Sequence, residues 1–151
     1  MNKIIIFLSS LGYLGYIKYA PGTFGSLVGL LLWIFFIPEK MAFQLFSLIV
    51  IFVISIILSS LAEDIYKTKD DQRIIIDEVA GMWISLALLP RSFLFYILGF
   101  LLFRLFDVKK PWIIKSSQKL KSGFGVTIDD VLAGLFVNCI LQIVNFILTN
   151  N

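Results

Sequence analysis

The chain has 151 residues, 59% of them hydrophobic and only 15% charged, with a formal net charge of +3 and a mean hydropathy of +0.94. A soluble domain is about a quarter charged, so these charges are too few to coat a water-soluble sphere, and the bilayer is the solvent that tolerates the long apolar runs. The small positive excess forms no nucleic-acid groove, while the absence of histidine and the single cysteine, Cys139, exclude an intrachain disulfide, His or multi-Cys zinc sites and any histidine base.

In chain order, Lys3 and the apolar run 4–8 imitate a signal peptide, but the run is short and 17–21 is a poor cleavage site. With Gly12, Gly15 and the aromatics Phe7, Tyr13, Tyr16 and Tyr19, this stretch reads as an interfacial segment or short helix. Pro21-Gly22-Thr23 opens a first apolar run over 24–37, which 38–40 closes. The uncharged run 41–62 is long enough to span a bilayer, and a polar stretch follows over 63–73. Two shorter apolar pieces, 79–89 and 92–106, flank Pro90-Arg91, and neither reaches the roughly 20 residues of a full span. A lysine-rich stretch, 107–127, precedes the last apolar run, 131–148.

The short pieces read as one kinked crossing or as a hairpin turning at Pro90-Arg91. The hairpin puts the basic residues of 3–18, 67–73 and 109–121 on one side and leaves only Lys40 and Arg91 opposite, a strong positive-inside bias. A single crossing would erase that bias. The expectation is therefore one all-α domain over 1–151: a polytopic helical membrane protein with about three full spans, a short helical hairpin and an N-terminal interfacial segment. The crowded side would be cytoplasmic, and nearly all acids would lie there.

Acids at a membrane boundary are costly unless they pair or bind a cation. Asp77-Glu78-Val79-Ala80-Gly81 and Asp129-Asp130-Val131-Leu132-Ala133-Gly134 each put an acid doublet, then small residues, before an apolar run. N-capping is the plain account of one acid, but a cap needs only one, and adjacent acids repel. The small residues let helices approach closely, which would gather the acids around a cation. Mg²⁺ suits carboxylates without histidine, and it polarises phosphoryl oxygens and acidifies water.

Arg104 and Asp107, three residues apart, share a helix face ahead of Lys109, Lys110, Pro111 and Trp112. One reading is a basic juxtamembrane collar. The other puts Asp107 on the metal and Arg104, Lys109 or Lys110 on a phosphate. In 20–26, Pro21 and Gly22 at a helix start leave amides for an anion, Thr23 and Ser26 add hydroxyls, and Lys18 lies just before. Gly25 and Gly29 also have GxxxG spacing for close packing. Cys139, inside the last run, reads as a packing or lipid-facing residue.

Four segments together resemble the phosphatidylglycerophosphatase A family: APGTFGS (20–26), the pattern Asp71, Asp77, Glu78, Gly81, FRLFDVKKPW (103–112) and GFGVTIDDVLAG (123–134). They occur in family order over most of the chain. Asp71-Gln72 stands where the family often has Asp-Pro. The resemblance implies a multi-pass enzyme of the bacterial inner membrane, its site facing the cytoplasm, that uses Mg²⁺ to convert phosphatidylglycerophosphate to phosphatidylglycerol and phosphate. The expected catalytic and metal residues are Asp77, Glu78, Asp107, Asp129 and Asp130, and the expected phosphate contacts are Lys18, Thr23, Ser26, Arg104 and Lys110. The rivals are a small divalent-cation carrier, a lipid-bound assembly protein or another membrane enzyme acting on phosphorylated lipids. A carrier needs acids at mid-membrane depth, and the interiors of the apolar runs have none.

Overall fold

A computed structural model describes residues 2–109 and 123–150, so Lys110 and the lysines after it lie outside the described residues. The described residues form six α-helices and no strand: α1 (Asn2–Ser9), α2 (Pro21–Phe36), α3 (Met41–Tyr66), α4 (Ile76–Leu86), α5 (Phe93–Lys109) and α6 (Gly123–Thr149). A 3₁₀ turn, Leu14–Tyr16, separates α1 from α2.

Local chemistry explains the boundaries. Pro21 opens α2 with its φ already helical, after Ala20 in the left-handed region at φ 49°. Ile37 ends α2 in extended backbone, the conformation that a following proline favours. Lys67 closes α3 at φ 56°, a left-handed C-terminal residue. Pro90 cannot continue a helix, and the segment between α4 and α5 turns the chain back. α4 already ends at Leu86, before the break that Pro90-Arg91 predicts, and the turn over 87–92 includes that pair.

Among the described residues, only α3 and α6 are long and apolar enough to cross a membrane, judged by length and composition. The expected third span is α2, whose 16 residues cover about 24 Å, less than the ~30 Å hydrocarbon core. The apolar run 24–37 stops at Pro38, so the helix has no residues with which to lengthen.

The short α4 lies at the centre, packed by α2, α3, α5 and α6. Close packing between helix backbones holds the bundle together. Small residues supply it: Gly25 and Gly29 of α2 lie against Ile75, Val79 and Met82, and Gly81 and Gly134 bring α4 onto α6. Around these contacts Trp33, Met82, Leu86, Phe103, Val137 and Leu141 form a buried cluster. Polar links fix the hairpin turn. Asn138 Nδ2 donates to the Ala87 carbonyl at 2.8 Å, the Leu88 amide donates to Gln44 Oε1 at 2.9 Å, and Arg91 Nη1 donates to the Ile34 carbonyl at 3.1 Å. At the opposite end the Ile75 amide donates to the Ser9 carbonyl at 2.9 Å, which ties α1 to the entry of α4. Cys139 is exposed, in keeping with its place in an apolar run.

Candidate active site

At the end of the bundle where α2 and α4 begin and α5 finishes, a cavity of about 440 Å³ opens. Its walls include Ala20, Pro21 and Gly22 of the α2 start, Asp70, Asp71 and Gln72 of the α3–α4 loop, Asp77 and Glu78 of α4, Arg104 and Asp107 of α5, and Asp130 of α6. Four stretches distant in sequence, 20–22, 70–78, 104–108 and 126–130, thus contribute to one space.

Three carboxylates form its floor. One oxygen from each of Asp77, Glu78 and Asp130 lies within 4.8 Å of the others. Asp77 Oδ1, Glu78 Oε2 and Asp130 Oδ2 are buried and have no hydrogen-bond partner. Buried polar atoms are normally paired, and three carboxylates this close repel one another. On α4, outside the two long apolar helices, burial above all pushes both carboxyls upward, with Asp107 adding to the effect at Asp77 and Asp77 adding to it at Glu78. Converging unpaired hard oxygens are the donor set of a divalent cation such as Mg²⁺, so these residues fit the metal that the sequence leads one to expect.

Capping does not explain the doublets. Asp77 and Glu78 stand in the first turn of α4, yet its N-cap is Ile75, with no side-chain cap. Asp129 and Asp130 lie more than a turn inside α6, which starts at Gly123.

A cation stands opposite the acids. Arg104 Nη1 donates to Asp107 Oδ2 at 2.6 Å and to Ser26 Oγ at 3.3 Å. Ser26 Oγ in turn donates to the Gly22 carbonyl at 2.8 Å. Arg104 is therefore held from its own helix and from α2. Gly22 lets this happen, because a Cβ there would run into Glu78 Oε1 and come within 3.2 Å of Arg104 Nη1. The first turn of α2 adds the positive end of a helix to the same wall.

The loop wall is braced from outside. Arg73 Nε and Nη2 donate to Asp71 Oδ1 and Oδ2, both at 2.7 Å, and its guanidinium lies 3.8 Å from the centre of the Tyr66 ring. Tyr66 and Tyr16 share a hydrogen bond between their hydroxyls at 3.0 Å. The hydrogen bonds from Arg73 hold the Asp71 carboxyl below its ordinary value. A Cβ on Gly15 would strike the Arg73 carbonyl, so only glycine lets the 3₁₀ turn sit against this loop.

Of the residues expected from sequence, Asp77, Glu78, Asp107, Asp130 and Arg104 meet at the cavity. Ser26 stands behind it, fully buried, and reaches it through Arg104. Asp129 is buried but neither lines the cavity nor joins the three-carboxylate group, since its neighbour Asp130 faces that way. Thr23 and Lys18 do not line it either; the Lys18 ammonium lies 5.8 Å from the Tyr19 ring centre. Lys110 falls outside the described residues. The sequence assigned a site role to Gly22 through its amide, but none to Asp70, Gln72 or the Arg73 brace. Asp71 did belong to a motif quoted above, and that spacing was the available signal for this wall.

The family model for phosphatidylglycerophosphatase A matches residues 7–145. The chain belongs to that family. Its members are phosphoric monoester hydrolases, and the chain is therefore an enzyme of that class. A phosphatidylglycerophosphatase A of Escherichia coli is 35% identical over 129 residues, covering 82% of this chain and 73% of the relative. One of Haemophilus influenzae is 36% identical over 126 residues, covering 81% and 77%. A Bacteroides thetaiotaomicron protein named "Putative phosphatidylinositol-3-phosphatase" is 31% identical over 141 residues, 89% of each chain. No solved structure matches.

Proposed function

We propose that the protein is a Mg²⁺-dependent phosphatidylglycerophosphatase of the bacterial inner membrane, releasing phosphate and phosphatidylglycerol at its cytoplasmic face. The observation that carries this reading is the group of Asp77, Glu78 and Asp130, with three buried oxygens lacking partners. These residues would hold the metal, with Asp107 beside them on the cavity wall. Mg²⁺, when bound, supplies electrostatic stabilisation of the phosphoryl oxygens and a more acidic water.

The protein's own groups do the rest. Arg104 presents its guanidinium to the terminal phosphate, pre-set by Asp107 and Ser26, and so is spent on neither side-chain ordering nor search. The α2 start faces the same phosphate with its helix dipole. Water attacks phosphorus in line. One new O–P bond forms, the P–O bond to glycerol breaks, and a carboxylate, Glu78 in this reading, takes the water proton. The leaving glycerol oxygen regains a proton from the open side of the cavity. Charge placement supports the orientation: Lys67, Lys69, Arg73 and Lys109 belong to the segments at the cavity end, whereas Lys40 and Arg91 belong to the two turns at the far end.

The test is phosphate release by purified protein in nanodiscs. Phosphatidylglycerophosphate, phosphatidic acid and phosphatidylinositol 3-phosphate are each supplied, with Mg²⁺ or with EDTA. Release from the first alone, abolished by EDTA, is the expected result. Preference for the phosphoinositide, the substrate in the name of the Bacteroides relative, would replace the substrate while keeping the site.

A further inference from the structure

The geometry points to a built acyl-chain subsite: one fatty chain of the lipid substrate lies in the groove between α2 and α5, directly beneath the catalytic cavity. This rests on the lipid-phosphate reading above and adds where the lipid's tail is held.

An apolar recess of about 190 Å³ sits between these helices, lined by Leu30 and Ile34 of α2 and by Phe93, Ile97, Phe100 and Leu101 of α5, among others. The same two helices supply Gly22, Arg104 and Val108 to the cavity. On α2 the positions run 22, 26, 30, 34, and on α5 they run 93, 97, 101, 104, 108. Steps of three and four keep each series on one helix face. The two faces meet at Ser26 and Arg104, joined by the 3.3 Å hydrogen bond. Above that bond the seam is polar and catalytic; below it the seam is apolar.

Such a seam matches an amphiphile whose phosphate sits at Arg104 and whose chain points into the bilayer. The twelve steps of α2 from Gly22 to Ile34 rise about 18 Å, close to the ~15 Å that one leaflet contributes to the hydrocarbon. Ile97 and Leu101 are 40% and 57% exposed, so the groove opens sideways, where a lipid arrives. A second apolar recess, lined by Ile49, Phe52, Ile84 and Leu135 among others, has α3 as one wall. No residue of α3 lines the cavity, and that recess serves as the internal control.

The experiment uses the full chain in nanodiscs with dihexanoyl- or dipalmitoyl-phosphatidylglycerophosphate. Leu30→Trp and Ile97→Trp fill the α2–α5 groove; Ile49→Trp fills the control recess. The groove variants should raise KM for the long-chain substrate about tenfold, the effect of losing contacts worth roughly 1.4 kcal/mol. Their turnover of the short-chain substrate should stay within about twofold, and Ile49→Trp should alter neither. Unchanged long-chain KM, or equal loss on both substrates, overturns the subsite. A second arm needs no turnover: an anionic phospholipid carrying a diazirine in its chain is photolysed with the protein. Labelling concentrated on α2 and α5 supports the groove, and labelling spread evenly over α3 and α6 overturns it. If the wild type hydrolyses no phosphatidylglycerophosphate yet the label still concentrates on α2 and α5, the substrate reading fails and the groove stands.

Discussion

Gly134 approaches the Gly81 carbonyl so closely that no side chain fits between them. The contact lies about one turn from Asp77–Glu78 on α4 and from Asp130 on α6, and it sets the spacing of the three carboxylates. A methyl at position 134 must push α6 away from α4. Gly134→Ala should therefore lower stability by the ~1–3 kcal/mol typical of overpacking. Because small misplacements at a reacting centre are costly, it should also cut phosphate release at least ~10-fold. Thermal unfolding in detergent and a phosphate assay read the two effects.

The three carboxylates should respond as a unit to a divalent ion. Excess Mg²⁺ is expected to raise the Tm of the wild type, since a ligand that binds only the folded state stabilises it by mass action. Asp130→Asn should lose that rise and at least ~100-fold in turnover, more than loss of an outer-shell group typically costs. Asp129→Asn should cost less, because Asp129 neither joins the group nor lines the cavity. Full activity in Asp130→Asn would remove the metal assignment.

Arg104 and Lys18 separate a pre-set cation from a nearby one. Arg104→Lys loses the planar guanidinium, whose Nη1 donates to both Asp107 and Ser26. A charge-assisted hydrogen bond is worth ~1.5–3 kcal/mol, so kcat/KM should fall roughly 10- to 100-fold. Lys18→Ala, altering a residue outside the cavity wall, should change it less than about fivefold, the scale of an exposed charge. The same steady-state assay ranks both.

The Arg73 brace predicts a pH signature. Arg73 holds the Asp71 carboxyl below its ordinary value. A depressed carboxyl stabilises the fold above its unfolded-state pKa of about 3.9, and that contribution disappears as pH falls through the lower folded value. The Tm gap between wild type and Arg73→Gln should therefore be full at pH 6 and shrink below about pH 4. A gap independent of pH would mean that stacking on Tyr66, not the ion pair, is the whole of the brace.

Much of the site was legible because its chemistry is local. Arg104 and Asp107 share a face by helical spacing alone, and the structure joins them at 2.6 Å. The small residues after each acid doublet signalled close helices, and Gly81 and Gly134 fulfil that role. Other features were not readable in this way. Lys18 precedes the α2 start and looks like a phosphate ligand, but chain proximity does not say where a flexible side chain points. Nor did the sequence show that Gly22 must be bare for Glu78 and Arg104 to approach each other.

By itself, the sequence determined an all-α chain, long apolar runs, clustered acids without histidine and the family. Composition and helical periodicity are properties of single segments, and those carry through to any fold. Only the tertiary structure decided that both acids of the first doublet but only Asp130 of the second face the cavity, and that the 67–75 loop walls it. Those outcomes depend on which helix faces meet, and that is set by close packing between residues far apart in the chain.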